Sequence, residues 1–291
     1  MVAKSSKIVL KCSGSPESTI TMCKKLDLDF VISRTSNSTT VEYNNTKHLF
    51  SDNPISKREI ILQKQVKKEI MNSIEGLSEK TKNLMNTVKP TVYFRFHKSM
   101  YEINNHGEYF EFENTYEVDI TKAYYQTAFN LGFISEKFFE KCLNLRKSWR
   151  LRLLGSIATK KHIEIYENGQ LVDIQVKENP LLNTVWRTIT AEVDECMNYC
   201  CNTIYDDFLM YWVDGIYFQE KENHTDLNRK IVSSIMHQFG YDCSVEKKDK
   251  IIAVNIDNQV RVYVYKDNKQ QKLFSVPKKQ VKKYLCDVSE I

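Results

Sequence analysis

FLMYWVDGIYFQE, residues 208–220, decides how this chain folds. Two runs rich in Phe, Tyr, Trp, Val and Ile flank Asp214-Gly215. Aromatic and β-branched residues favour a pleated, packed surface. Asp-Gly is a common two-residue hairpin turn, so the stretch predicts a strand, a tight turn and a second strand. Asp214 then has two readings, a turn residue or a carboxylate delivered to a site at the hairpin tip.

Upstream, TYEVDI (115–120) predicts a further strand that carries Asp119 near its end. Each aspartate lies among apolar or aromatic neighbours. A buried carboxylate carries a large desolvation penalty and calls for a cation, a metal or a set of amide donors. Two carboxylates from different strands can share a pair of Mg²⁺ ions, the arrangement that phosphoryl transfer to a hydroxyl uses.

Working outward, LLNTVWRTITAEVDECMNYCCNTI (181–204) predicts a long helix behind Pro180, and DLNRKIVSSIMHQFG (226–240) a helix ended by Gly240. CSVEKKDKIIAVN and QVRVYVY predict two strands, followed by a basic tail, KKQVKKY. TKAYYQTAFNLG and residues 135–145 predict two helices, and HIEIYE, Asn168-Gly169 and QLVDIQV a hairpin. TVYFRFH (91–97) predicts a strand, and YEINNHGEYFEFEN (101–114) two strands about a turn at Asn104–Gly107. Before Pro90, the apolar spacing over 56–88 predicts one helix, or two interrupted at Gly76. Residues 7–13 and 29–32 predict short strands, 16–26 a helix and 33–55 a loop or weak hairpin. The order predicts an α+β fold with a mainly antiparallel sheet and packed helices. A small N-terminal α/β appendage (1–90) would precede the main domain (91–291).

Lys and Arg total 42 against 37 Asp and Glu, a net charge of +5 that suits polyanions without establishing them. The eight cysteines contain no CxxC pair, so reduced, buried thiols are favoured over a zinc site. The N-terminal apolar run is too short for a signal peptide, and no stretch has the ~20 apolar residues of a spanning helix. The expectation is a cytoplasmic protein with no membrane partner, in the host cytoplasm if phage-encoded.

VDITKAYYQ resembles the first palm motif of family B DNA polymerases, D-x-x-S-L-Y-P, with Asp119 at its Asp and Tyr124 at its Tyr. MYWVDGIYF resembles the later hairpin motif, Y-x-D-T-D-S. Asp214 matches the second Asp and Gly215 the Ser. Tyr211 falls one place after the motif's Tyr, and Trp212 stands where the first Asp belongs. RLRLLGSIATKK resembles the fingers motif, K-x-x-x-N-S-x-Y-G, with Arg150 and Arg152 flanking the position of its Lys. Arg261 and Tyr263 match a K-x-Y element. The resemblance spans about residues 91–265.

It implies a polymerase-type palm sheet with reduced fingers, and template-directed nucleotidyl transfer, DNA polymerase or primase-like. Asp119 and Asp214 would be both catalytic residues and ligands of two Mg²⁺ ions, with Mn²⁺ as a substitute. Tyr124 would lie under the incoming sugar, and Tyr211 would belong to the nucleotide site. Arg150 or Arg152 would meet the triphosphate. Lys147 and Lys160 read either as triphosphate or template contacts or as solvated surface. The implied partners are DNA template and primer, a nucleoside triphosphate and other replication proteins. The alternative is a non-catalytic DNA-binding accessory replication protein on a degenerate palm, which Trp212 and the altered fingers motif favour.

Overall fold

The computed structural model describes residues 7–11, 16–34, 38–43, 46–51, 57–101, 109–158, 161–167, 170–221 and 226–286. In chain order the elements begin with β1 (Lys7–Lys11), α1 (Pro16–Lys25), β2 (Phe30–Arg34), β3 (Ser38–Tyr43), β4 (Thr46–Ser51) and α2 (Lys57–Ser73). Then come α3 (Glu79–Asn86), β5 (Phe94–Phe96), α4 (Lys98–Tyr101), β6 (Tyr109–Ile120), α5 (Ala123–Asn130), α6 (Glu136–Leu143) and α7 (Lys147–Gly155). The chain continues with β7 (Lys161–Glu167), β8 (Gln170–Lys177), α8 (Pro180–Thr203), β9 (Phe208–Trp212), β10 (Gly215–Gln219) and α9 (Leu227–Gln238). It ends with β11 (Cys243–Ile256), β12 (Gln259–Lys266), β13 (Lys269–Pro277) and α10 (Lys278–Lys283).

The fold is mixed α+β, and the chain divides into two compact units. The first takes residues 1–72 and 144–186, the second 73–143 and 187–291. The sequence reading placed one boundary, near Pro90. The units are instead interleaved, because α7 and the β7–β8 hairpin group with the N-terminal elements.

In the first unit, β1, β7 and β8 form one antiparallel sheet and β2, β3 and β4 another. Cys23 of α1 packs with Val41 and Tyr43 of β3 in a small core. The Ser- and Asn-rich stretch after residue 33 thus holds a hairpin rather than a loop.

The second unit is built on seven antiparallel strands in the order β13-β12-β11-β6-β10-β9-β5, curled into a half-barrel. Tyr116, Val118 and Ile120 of β6 project to one side. There they meet Val193, Cys196, Met197 and Cys200 of α8 and Val232, Ile235 and Met236 of α9. The buried α8 residues fall three or four apart, which aligns them along one helix face. The inside of the curl holds a second core, with Phe96, Met210, Tyr217, Ile251, Val262, Val264 and Val276.

Two expectations change here. Tyr101 ends a short helix, and residues 109–120 form one twelve-residue strand rather than the end of one strand and a separate next one. Asn114 takes a left-handed φ of +53° inside β6, which bends the strand without ending it; pairing with β11 runs from Lys250↔Glu113 to Lys248↔Thr115. In addition, β13 and α10 occupy a region where sequence predicted only a basic tail after β12. The turns expected at Asn104–Gly107 and Asn168-Gly169 lie outside the described residues.

Candidate active site

The two aspartates come together through strand register. β10 runs antiparallel to β6 with Gly215 opposite Asp119 and Tyr217 opposite Glu117. Trp212 of β9 pairs Gly215, so Val213 and Asp214 form the two-residue connection of the hairpin. The Ile120 amide donates to the Asp214 carbonyl at 2.9 Å, locking the hairpin tip to the end of β6. Asp119 and Asp214 therefore occupy neighbouring strand ends at one rim of the sheet, both half-buried.

The turn that carries Asp214 is strained. Val213 has φ +59° while Asp214 does not share the left-handed region, the sign pattern of a II′ turn. That first position favours glycine, and a β-branched residue there is a genuine outlier. The Val213 amide donates to the Tyr93 carbonyl at 2.7 Å, which helps to hold the conformation.

Gly215 leaves room for carboxylates. A Cβ added there would stand 3.1 Å from Asp119 Oδ1 and 3.2 Å from Glu117 Oε1. Glu117 thus brings a second carboxylate next to Asp119 over Gly215, and sequence reading missed it. The signal was available: Glu117 precedes Asp119 by two residues, and strand alternation puts both on one face.

Glu117 is buried, with cations around it. Lys248, with no exposed surface, places its ammonium 2.8 Å from Glu117 Oε2. Lys272 of β13 pairs with Glu117 Oε1 and donates to the Tyr217 hydroxyl at 2.9 Å. That hydroxyl donates to Glu117 Oε1 at 2.5 Å. Glu246 bridges Lys248 and Lys266, and Gln271 accepts from Lys248 at 3.1 Å. Burial pushes the Glu117 carboxyl up, but hydrogen bonds from Lys248, Lys272 and Tyr217 outweigh it and hold the group below its ordinary range. Burial, then the charges of Glu117, Asp119 and Asp214, push the Tyr217 phenol upward, so it stays a neutral donor.

Tyr124, near the start of α5, is also held neutral by burial and by the field of Asp214, with Tyr93 and Asp194 adding to it. It lies within the field of Asp214 and packs against the helix-side core. The Tyr211 side chain has no exposed surface and packs toward the helices, where the hydroxyl donates to Asp194 Oδ1 at 2.7 Å. Asp194 also accepts from the Val92 amide at 2.9 Å. Tyr211 and Asp194 thus brace α8 against β9 instead of facing a nucleotide, because strand alternation turns Tyr211 away from Trp212 and the curl.

Trp212 faces the interior. Its ring stacks on Phe94 at 5.2 Å and meets Phe274 at 4.9 Å, so an aromatic cluster fills the place of the resembled motif's first Asp. Lys147, Arg150 and Arg152 all lie on α7, in the first unit. Lys147 is exposed. Arg150 donates to the Leu145 carbonyl at 2.6 Å, and Arg152 forms an ion pair at 2.8 Å with the buried carboxylate of Glu59. Both arginines have intramolecular partners within their own unit.

Among the described residues, no group of three or more His, Cys, Asp or Glu is gathered to hold a metal. Mg²⁺ does not demand such a cage. It is commonly held by one or two carboxylates, with water and substrate phosphates completing the octahedron. Asp119 and Asp214, two hard-oxygen donors at one rim, fit that donor set, while Glu117 is committed to lysines. A cavity of about 460 Å³ opens between residues 84–95 and α8, lined by Lys89, Arg95, Asp194 and Glu195 among others. Neither aspartate lines it, so it is separate from this site.

No protein-family model matches the chain, and no curated protein matches it. Among the described residues, no helix is long and apolar enough to cross a membrane.

Proposed function

We propose that this protein is a template-directed nucleotidyltransferase, a DNA polymerase or primase-like enzyme on a reduced palm of the family B kind. The observation that carries the reading is the register that sets Gly215 opposite Asp119 and puts Asp214 at the adjoining turn. It supplies two carboxylates on neighbouring strand ends, from the two segments that resemble the palm motifs.

Asp119 and Asp214 would hold the divalent cations. Bound there, two Mg²⁺ ions supply activation of a primer 3′ hydroxyl and neutralisation of charge on the phosphoryl group. Tyr124, kept neutral beside Asp214, offers a flat wall for the incoming sugar. Gly215 keeps the space above the strands clear, and the Glu117–Lys248–Lys272 cluster fixes the floor beneath Asp119. DNA template, primer and nucleoside triphosphate are the partners this reading requires.

The test is a gel assay on primed and unprimed templates, with dNTPs or NTPs and Mg²⁺ or Mn²⁺. The parent chain is expected to add nucleotides. Asp214→Asn should lower addition by more than about a hundredfold while circular dichroism stays unchanged. Extension by that variant at the parent rate would sink the mechanism.

A second reading is a non-catalytic DNA-binding replication factor. The Trp212 cluster with Phe94 and Phe274 favours it, since a carboxylate of the resembled motif is replaced by packing. Salt-sensitive DNA binding with no nucleotide addition under either cation would select it.

A further inference from the structure

We propose that Cys201 and Cys286 are a site of oxidative cross-linking, in which peroxide joins α8 to the segment after α10. The two sulfurs lie 2.9 Å apart although the residues are 85 apart in sequence. Both side chains are buried, at 0% and 3% exposure. Reciprocal backbone bonds to Phe96 anchor the segment that carries Cys286. The Cys286 amide donates to the Phe96 carbonyl at 3.0 Å, and the Phe96 amide donates to the Tyr284 carbonyl at 3.3 Å. Cys286 Sγ also donates to Asn202 Oδ1 at 3.1 Å, and Cys201 Sγ to the Asn198 carbonyl at 3.3 Å. A disulfide needs sulfurs ~2.05 Å apart, so closing the link moves the two atoms by less than about 1 Å.

The neighbouring thiols provide an internal contrast. Cys196 and Cys200 interact along α8 four residues apart. Helix geometry sets their Cβ atoms about 5–6 Å apart, beyond the ~3.5–4.5 Å that a disulfide spans. Proximity alone therefore does not make a linkable pair; the Cys201–Cys286 pair comes from separate elements and can close without distorting a helix.

The chemistry balances with peroxide as oxidant. The Cys286 sulfur attacks one peroxide oxygen, the O–O bond breaks, and sulfenic acid and water form. The Cys201 sulfur then attacks the sulfenic sulfur; the S–S bond forms as the hydroxyl leaves as water. Two thiols give up two protons and two electrons, and one peroxide becomes two waters. The contact with Cys286 and burial both push the Cys201 thiol up, so the pair reacts more slowly than an exposed thiolate.

The experiment treats the full chain with hydrogen peroxide, alkylates it under denaturing conditions and maps peptides by mass spectrometry. The expected product has lost two alkylatable thiols, joins Cys201 to Cys286, and reverts with dithiothreitol. It should also unfold at a higher temperature than the reduced chain, since the link closes a long loop. Cys200→Ser should keep the cross-link, and Cys286→Ser should lose it. Linkage between other cysteines, full alkylation of all thiols after treatment, or oxidation of Cys286 without a cross-link would each overturn the proposal.

Discussion

Replacing Glu117 by Gln removes the carboxylate that two lysines share inside the curl. Lys248 would then remain fully buried with Glu246 as its remaining carboxylate partner. Breaking a buried pair from one side is expected to cost about 3 kcal/mol, read from urea denaturation. The pH dependence has a definite sign. The folded-state pKa of Glu117 lies below its ordinary 4.5, so its stabilisation is complete above that value and is lost as pH falls. Glu246, held down to about 2 by Lys248 and Lys266, extends the same loss to lower pH. The urea midpoint of the parent chain should therefore fall as pH drops from about 4.5 towards about 2, and less steeply in Glu117→Gln. A milder probe is Gly215→Ala. Its methyl would meet Asp119 Oδ1 at 3.1 Å and Glu117 Oε1 at 3.2 Å, so one carboxylate must shift. Under the proposed two-cation site, Mn²⁺ affinity, followed by titration calorimetry, should weaken by about tenfold while the fold persists. At this scale the strand of Asp119 and the hairpin of Asp214 were legible, because each lies in an apolar, aromatic run. Lys248 was not. In VEKKDKII nothing separates a buried lysine from a solvated one, and its partner Glu117 lies 131 residues earlier.

At the scale of elements, the β9–β10 turn stores energy beside Asp214. A non-glycine residue in such a conformation costs roughly 1–3 kcal/mol, while glycine costs about 0.5–1 kcal/mol more chain entropy on folding. Val213→Gly should therefore raise stability by about 1 kcal/mol in a urea titration, keeping the hairpin register. A loss of stability there would mean that the valine side chain packs more strongly than its backbone is strained. The hairpin itself was readable from its aromatic flanks, but its two-residue turn is Val213-Asp214, one place earlier than the expected Asp214-Gly215, and Gly215 already pairs as the first residue of β10. The long helix α8 was readable from Pro180 and its helical spacing. By contrast β13 was hidden because its pattern is inverted: Leu273 is half-exposed, while Lys272 reaches inward to Glu117. β6 was divided in error because Asn114 looks like a turn residue, and here it bends a strand that continues.

The whole molecule departs furthest from what sequence suggested. Residues 144–186 leave the second unit and group with residues 1–72, and α8 begins in one unit and ends in the other. Such an excursion leaves no composition shift to read, since its strands and helix look like any others. It does make a prediction. A fragment of residues 91–291 would carry 144–186 without the N-terminal elements it groups with. Limited proteolysis should cut that fragment within 144–186, at sites the full chain protects, while the seven-stranded sheet survives. Equal protection in both would argue that residues 144–186 are stable without residues 1–72.

The two borders of the seven-stranded sheet are also unlike each other. β5 offers three residues and is bridged by Leu285, whereas β13 is nine residues long and carries Lys269, Gln270, Gln271 and Lys272. A short border and a cationic one are both poor templates for an incoming strand. A curled sheet with such borders thus carries its own guard against joining end to end with its copies.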